Sequence, residues 1–164
     1  MVNKKSALVP IIIAGVFFGS IAGLLFAGVG GTDAVTASVT INNYCTFTVS
    51  NTAINFGSMN PGTTTATTAN GVVTVTDTGN VGSNILTSGT TWTFGSNTFG
   101  VQNTVWSPSS TTAYASANVL TGSAVNTNII VTTTATNTIY YGLGIPAGQA
   151  PGTYSQTIDV ISTC

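Results

Sequence analysis

Polar and apolar side chains alternate with a period of two along residues 35–49, and this pattern constrains the fold more than any other feature of the chain. The odd positions carry an apolar row that only Asn43 interrupts and that ends at Cys45, Phe47 and Val49. The even positions are polar, and most of them are threonine. Alternation of this kind predicts a β-strand with one buried face.

Short apolar runs bounded by turn residues continue to the end of the chain, with clear examples at residues 72–76, 129–131 and 154–164. No segment after residue 31 has the period of a helix. Threonine, which is β-branched and favours strands, provides 32 residues. We therefore predict an all-β protein, an antiparallel two-sheet sandwich of jelly-roll or immunoglobulin-like type with about eight or nine strands.

Charged side chains are almost absent, and this excludes several classes of function. After residue 33 the chain carries only Asp77 and Asp159, and it has no His, Arg or Glu. General acid–base catalysis usually needs His, Glu or paired carboxylates, and nucleic-acid binding needs clustered Lys and Arg. We expect no enzyme, no cofactor or metal site, and no nucleic-acid partner. Asp77 is predicted to be a turn residue, and Asp159 to point outward from the last strand.

The N-terminus has the layout of a secretory leader. Two lysines precede an uncharged and largely apolar run over residues 7–31. We predict a leader over residues 1–31, with cleavage somewhere in 27–37 and membrane contact only through this leader. The run is also long enough to span a bilayer, and glycine recurs every four residues from Gly15 to Gly23. A retained membrane anchor is therefore the alternative.

The only two cysteines are Cys45 and Cys164. In an exported protein an isolated pair predicts one disulfide, with two unpaired core cysteines as the alternative. Their positions in the alternation place both on the apolar face, so we predict a buried bond that ties the first core strand to the last. Residues 45–164 are predicted to be the core domain.

Residues 32–44 are predicted to form an N-terminal strand with a hinge at Asn42 and Asn43, ahead of this core. Such a strand can pair within its own sandwich, or it can fill a groove in a neighbouring copy. Repeated head to tail without closing a ring, the second arrangement produces a filament.

Four stretches of the sequence carry a resemblance to a known family. They are the leader followed by AVTASVTI at 34–41, INFGSMNPG at 54–62, VTVTDTGN at 73–80 and IPAGQAPGTYSQTI at 145–158. With these features the chain resembles archaeal extracellular filament subunits assembled by donor-strand complementation, the thread and bundling-pilus proteins. These are similar in turn to TasA-type biofilm fibre proteins.

The resemblance implies a secreted subunit of an extracellular filament on the cell surface, with a role in adhesion, cell–cell contact or biofilm. Its partners would be identical subunits in a head-to-tail homopolymer, together with other cells or surfaces. The donor side chains would be Val35, Ala37, Val39 and Ile41.

Three alternatives stay open at this point. The first is a non-polymerising cell-surface or S-layer-associated sandwich, and the second is a pilin that retains its N-terminal helix. The third is a carbohydrate-binding module, for which five aromatic side chains could form a stacking platform. These are Trp92, Trp106, Tyr114, Tyr140 and Tyr141. One observation argues against such a platform. Trp92 and Phe94 are two residues apart and share one face of a strand, which predicts that Trp92 lies in the core.

Overall fold

A computed structural model describes residues 36–164. The leader at 1–31, its cleavage region up to residue 35 and the predicted donor residue Val35 lie outside these described residues. The chain divides into two compact units, one that ends at Ile41 and one that runs from Asn42 to Cys164. No helix among the described residues is long and apolar enough to cross a membrane.

The protein is all-β, as predicted, and its strands pair antiparallel. Ten strands lie within residues 36–164, and three single 3₁₀ turns lie between them at Thr68–Asn70, Val101–Asn103 and Tyr114–Ser116. The strands are β1 Phe47–Ser50, β2 Gly71–Asp77, β3 Ser83–Gly89, β4 Trp92–Phe94, β5 Asn97–Phe99, β6 Thr104–Ser107, β7 Asn118–Val119, β8 Val125–Val131, β9 Thr136–Leu143 and β10 Ile158–Thr163.

These strands form three sheets. A five-stranded sheet has the order β1-β2-β9-β6-β7, and a three-stranded sheet has the order β10-β3-β8. The third sheet is the short hairpin β4-β5, which turns at Gly95. Both larger sheets therefore have two edge strands, namely β1 and β7 in the first and β10 and β8 in the second.

The main hydrophobic cluster takes side chains from both larger sheets. Val75 and Tyr141 come from the five-stranded sheet, and Ile85 and Val131 from the three-stranded sheet, and all four are almost fully buried. A smaller cluster forms around Trp92, whose ring stacks on Phe99 at a centroid distance of 5.5 Å. Burial of these side chains is the dominant favourable contribution to folding.

Many buried positions are threonine, and their hydroxyls have partners. Residues 63–69 look in the sequence like an exposed polar loop, but Thr65 and Thr68 are buried. The Thr65 hydroxyl accepts from the backbone N–H of Leu143 at 3.2 Å, and the Thr68 hydroxyl donates to the carbonyl of Ser109 at 2.8 Å. A polar side chain is stable in a core when its hydrogen bonds are satisfied, so polarity alone predicted the wrong environment.

Of the two strand segments predicted on either side of the hinge, only the second forms, so the strand predicted for residues 32–44 is not found at residues 36–44. Only Phe47–Ser50 enters a sheet, where β1 pairs with β2. Residues 36–46 lie in no strand. Period-two alternation identifies the face that a strand would bury, but a strand forms only where a partner edge is present, and β2 ends opposite Phe47 at Asp77.

The predicted disulfide between Cys45 and Cys164 is present, with the two Cα atoms 6.2 Å apart. It joins the chain just before β1 to the residue that follows β10. The bond is not buried in the way that the alternation predicted, because Cys45 is only half-buried and Cys164 is exposed. Cys164 lies beyond the last paired residue of β10, where the alternation no longer fixes the direction of a side chain.

Candidate functional site: a cleft between two strand edges

The chain departs from the five-stranded sheet at Asn51, directly after β1. Asn51 adopts a left-handed backbone conformation with φ of 69°, and its side-chain amide donates to the carbonyl of Val72 at 3.0 Å. No backbone–backbone hydrogen bond joins residues 51–59 to the rest of the described chain. The segment is nevertheless ordered like a strand, because Ile54 and Phe56 are half-buried while the residue between them is exposed.

The opposite wall of the site is β10 together with the residues before it. Ser155 exchanges two backbone hydrogen bonds with Thr93, each of 3.0 Å, and β10 pairs with β3. The other edge of β10 pairs with no described strand. Ile158 and Val160 are half-buried and alternate with exposed residues. Both walls thus present backbone groups and apolar side chains without a neighbouring strand.

Between these walls lies a cleft of about 540 Å³, which we call the edge cleft. Residues 49–56 form one wall and residues 154–160 the other, with Val73 and Trp92 also lining the cleft. The two walls run in opposite directions, because the disulfide joins the start of the first to the end of the second. Six apolar side chains along the walls are only half-buried. These are Val49, Ile54, Phe56, Tyr154, Ile158 and Val160.

A second cleft, of about 490 Å³, continues the first at the end away from the disulfide. We call it the aromatic cleft, and it shares Ile54, Phe56, Trp92 and Tyr154 with the edge cleft. The ring of Tyr154 packs against Phe99 with the centroids 5.2 Å apart. The two clefts therefore adjoin at this end, where these four side chains line both.

The two clefts are lined almost entirely by uncharged residues, and several of their apolar side chains are only half-buried. Asp159 is the one charged side chain that lines either cleft, and it is exposed. The Tyr154 hydroxyl, which receives a hydrogen bond from Gln149 at 2.7 Å, donates to the carbonyl of Ala150 at 3.0 Å. Such a lining provides apolar contact and backbone hydrogen bonds, and both are what an additional β-strand requires.

The remaining sheet edges differ from the walls of this cleft. At one edge of the five-stranded sheet, β7 has only two residues. On β8 the register shifts opposite Ile85 and Leu86, and Asn128 has φ of 56°. The side chain of Asn137 donates to the carbonyl of Ile130 at 3.1 Å and so occupies an edge acceptor. Short strands and bulges are the devices by which proteins prevent strand addition, and the edge cleft has neither along β10.

The predicted donor residues Ala37, Val39 and Ile41 lie in no strand. Val39 and Ile41 expose 79% and 73% of their surface, which is unusual for large aliphatic side chains.

The predicted hinge is anchored at its first residue. The side chain of Asn80 donates to the carbonyl of Asn42 at 3.0 Å and accepts from the N–H of Tyr44 at 2.7 Å. Thr78 donates its N–H to the carbonyl of Thr46 at 3.0 Å. The chain is therefore fixed to the core from Asn42 onward.

No protein-family model, curated protein or solved structure matches this chain. The site must therefore be interpreted from its own geometry.

The aromatic residues considered for sugar binding are not arranged on one surface. Trp92, Trp106 and Tyr141 are buried in the core, and Tyr114 and Tyr140 are half-buried. A sugar ring stacks on an aromatic face that is open to solvent, so three of the five rings have no face to offer. No group of three potential metal-ligating side chains occurs in residues 36–164.

Proposed function

We propose that this protein is the structural subunit of an extracellular pilus or thread-like filament. Residues 35–41 of one copy insert as a strand into the edge cleft of the next copy, and repetition builds a head-to-tail homopolymer. The subunit is not an enzyme in this proposal, and its partners are identical subunits and the cells or surfaces that the filament touches. A disulfide is compatible with an exported protein.

The observation that carries the proposal is the match between the apolar row at residues 35–41 and the edge cleft. The row from Val35 to Ile41 spans seven residues, and so does the wall formed by residues 154–160. Its apolar side chains occupy every second position, as do the half-buried side chains of the wall formed by residues 154–160. A strand placed in the cleft would cover those side chains with the apolar face of the row and leave its threonines toward solvent.

The energetics require both the side chains and the backbone. Burying Val39 and Ile41 contributes about 1.5–3 kcal/mol each, against roughly 4–15 kcal/mol for the lost freedom of two associating molecules. Ladder hydrogen bonds add about 0.5–1.5 kcal/mol each, and a strand between two walls forms them on both edges. These two side chains alone, at about 3–6 kcal/mol, fall short of most of that range, and the ladder hydrogen bonds on both edges are needed to offset the cost of association.

The finer description of the fold belongs to the same proposal. The five-stranded and three-stranded sheets would form the two layers of a jelly-roll or immunoglobulin-like sandwich that lacks one strand. The shared cluster of Val75, Ile85, Val131 and Tyr141 supports this packing, since it combines side chains from both sheets. The inserted strand would complete the sandwich by joining β10 to the chain that follows β1.

The test compares a chain that begins at Thr32 with one from which residues 32–41 are deleted. The longer chain should form filaments visible by electron microscopy, and the shorter chain should remain monomeric. A synthetic peptide of residues 35–41 should bind the shorter chain and raise its melting temperature. The same peptide with Val39→Asn and Ile41→Asn is the matched control and should do neither.

Two results would contradict strand exchange between copies. One is filament formation by the chain that lacks residues 32–41. The other is a stable monomer of the longer chain in which the amides of residues 36–41 are protected from hydrogen exchange, because that chain would have filled its own cleft. The second result would favour the non-polymerising cell-surface sandwich.

A further inference from the structure

The disulfide joins the two walls just beyond one end of the edge cleft, whose lining stops at Val49 and Val160. Strands in a sheet lie about 4.8 Å apart, so two walls with a strand between them stand about 9.6 Å apart. The Cα atoms of Cys45 and Cys164 are 6.2 Å apart. No strand fits between the walls at that point. The other end, at Phe56 and Tyr154, adjoins the aromatic cleft, and no disulfide joins the walls there among the described residues.

The donor segment is attached to a bulky body at only one of its ends. Its C-terminal residue, Ile41, is followed directly by Asn42, which Asn80 fixes to the core. The core cannot enter the cleft of a neighbour. The end of the donor that carries Ile41 must therefore lie at the end of the cleft away from the disulfide.

From these two facts we infer that the disulfide sets the direction and the register of the inserted strand. This inference rests on the proposed function. The donor enters with Val35 toward the disulfide and Ile41 at the aromatic cleft. Val35 then lies opposite Val160, and Ile41 lies opposite Tyr154. Residues before Val35 that remain in the mature chain turn out of the cleft ahead of the bond.

The donor runs antiparallel to one wall of the cleft and parallel to the other, because the walls themselves run in opposite directions. Residues 154–164 run toward the disulfide, whereas the donor runs away from it, so the donor pairs antiparallel with β10. Residues 49–56 run away from the disulfide, so the donor pairs parallel with that wall. The alternation of side chains does not by itself fix the register, because a shift by two residues would leave every donor side chain on the same face. The disulfide prevents the shift toward its own end of the cleft.

Two pairs of cysteine substitutions with one residue in common distinguish the directions. In the inferred arrangement, Val35→Cys with Val160→Cys should form covalent ladders on non-reducing gels, because opposite side chains in a sheet are close enough for a disulfide. Ile41→Cys with Val160→Cys should not, since six residues of strand, roughly 20 Å, separate them. Each single variant is a control and should give no ladder, and a mixture of Val35→Cys with Val160→Cys should give linked dimers.

A third pair tests the role of the native bond. Val35→Cys with Ser162→Cys reports a donor that has moved two residues deeper. It should not link while the native disulfide is intact, and it should link when Cys45→Ser and Cys164→Ser remove that bond. Linking with the native disulfide in place would overturn the inference, as would the absence of linking after the disulfide is removed from chains that still form filaments.

Electron microscopy of the same samples separates this inference from the proposed function. Filaments that link through Ile41→Cys and Val160→Cys, or that link through none of the pairs, would overturn the inferred direction while strand exchange could still stand. Failure of the unsubstituted chain to form filaments would overturn the proposed function itself.

Discussion

The Tyr141 hydroxyl donates a hydrogen bond to the Thr87 hydroxyl across 2.8 Å, at a point where the two larger sheets meet. Thr87 directs its own proton to the carbonyl of Asp159 at 3.1 Å, which makes Tyr141 the donor. The chain of two hydrogen bonds connects β9, β3 and β10. It thus couples the sheet that contains β1 to the strand that forms the opposite wall of the edge cleft.

This contact predicts a loss of stability in alkaline solution. Desolvation by burial raises the pKa of Tyr141 to about 12. Below pH 10 the tyrosine is protonated in both the folded and the unfolded chain. Between pH 10 and 12 the unfolded chain loses its proton first, so unfolding becomes easier by about 2–3 kcal/mol.

Urea unfolding at a series of pH values from 7 to 12 measures this effect. Tyr141→Phe should lower stability at pH 7 by about 1 kcal/mol, through the lost hydrogen bond, and should flatten the decline above pH 10. Tyr114→Phe is the matched control. Burial also raises the pKa of Tyr114, but its side chain is only half-buried, so most of the decline should remain. An equal decline in Tyr141→Phe and the unsubstituted chain would contradict the prediction.

The turn between β8 and β9 contains a strained residue whose replacement should stabilise the protein. Thr134 has φ of 65°, a region that β-branched side chains avoid, and the N–H of Ala135 donates to the carbonyl of Thr132 at 2.8 Å. Thr134→Gly should raise the free energy of unfolding by about 0.5–1 kcal/mol, since relief of strain exceeds the added entropy of the unfolded chain. Thr133→Gly is the control. It should lower the free energy of unfolding, because Thr133 has no positive φ to relieve and glycine adds entropy to the unfolded chain.

Asp77 is buried and accepts two hydrogen bonds, so its removal should be costly. Its carboxylate accepts from the Ser83 hydroxyl at 2.9 Å and from the N–H of Gly79 at 2.7 Å. Asp77→Ala should destabilise the protein by about 2–4 kcal/mol because it leaves two donors without a partner. Asp159→Ala is the control, and its effect should lie within about 0.5 kcal/mol because Asp159 is exposed. Equal losses of stability in the two variants would contradict the prediction that the hydrogen bonds of Asp77 stabilise the fold.

The two faces of the donor row should contribute unequally to assembly. Val39→Asn with Ile41→Asn should weaken subunit association by roughly a hundredfold or more, because it removes the apolar burial that the cleft offers. Thr36→Asn with Thr40→Asn changes the opposite face by the same number of residues and should leave association within about tenfold. Sedimentation of the two variants over a concentration series measures both. Equal losses would show that side-chain burial in the cleft is not what holds the copies together.

Much of the fold follows from period-two patterns in the sequence. The apolar runs at residues 72–76 and 129–131 predicted strands, and they lie in β2 and β8. Trp92 was predicted to be in the core and is buried, but Phe94, which shares its parity, remains 42% exposed. The difference arises because β4 is only three residues long and ends in the turn at Gly95, so parity there no longer distinguishes core from solvent.

The candidate site was less accessible to sequence reasoning. The apolar row before Cys45 is visible in the sequence. So are the apolar pairs Ile54/Phe56 and Ile158/Val160, each with one polar residue between its members. The absence of a strand between those walls is not visible, because alternation records the burial of side chains and not the pairing of backbone groups. The bulge at Asn128, which distinguishes one edge from another, likewise has no signal in residue type.

The unequal sheet edges also determine how the proposed polymer can grow. A subunit that offers one cleft and one row has a valence of two, so its chains extend without branching. The two ends of such a chain differ chemically, since one displays an empty cleft and the other an unused row. A molecule that covers either feature alone would stop growth at one end only, and elongation would then continue from the other end in a single direction.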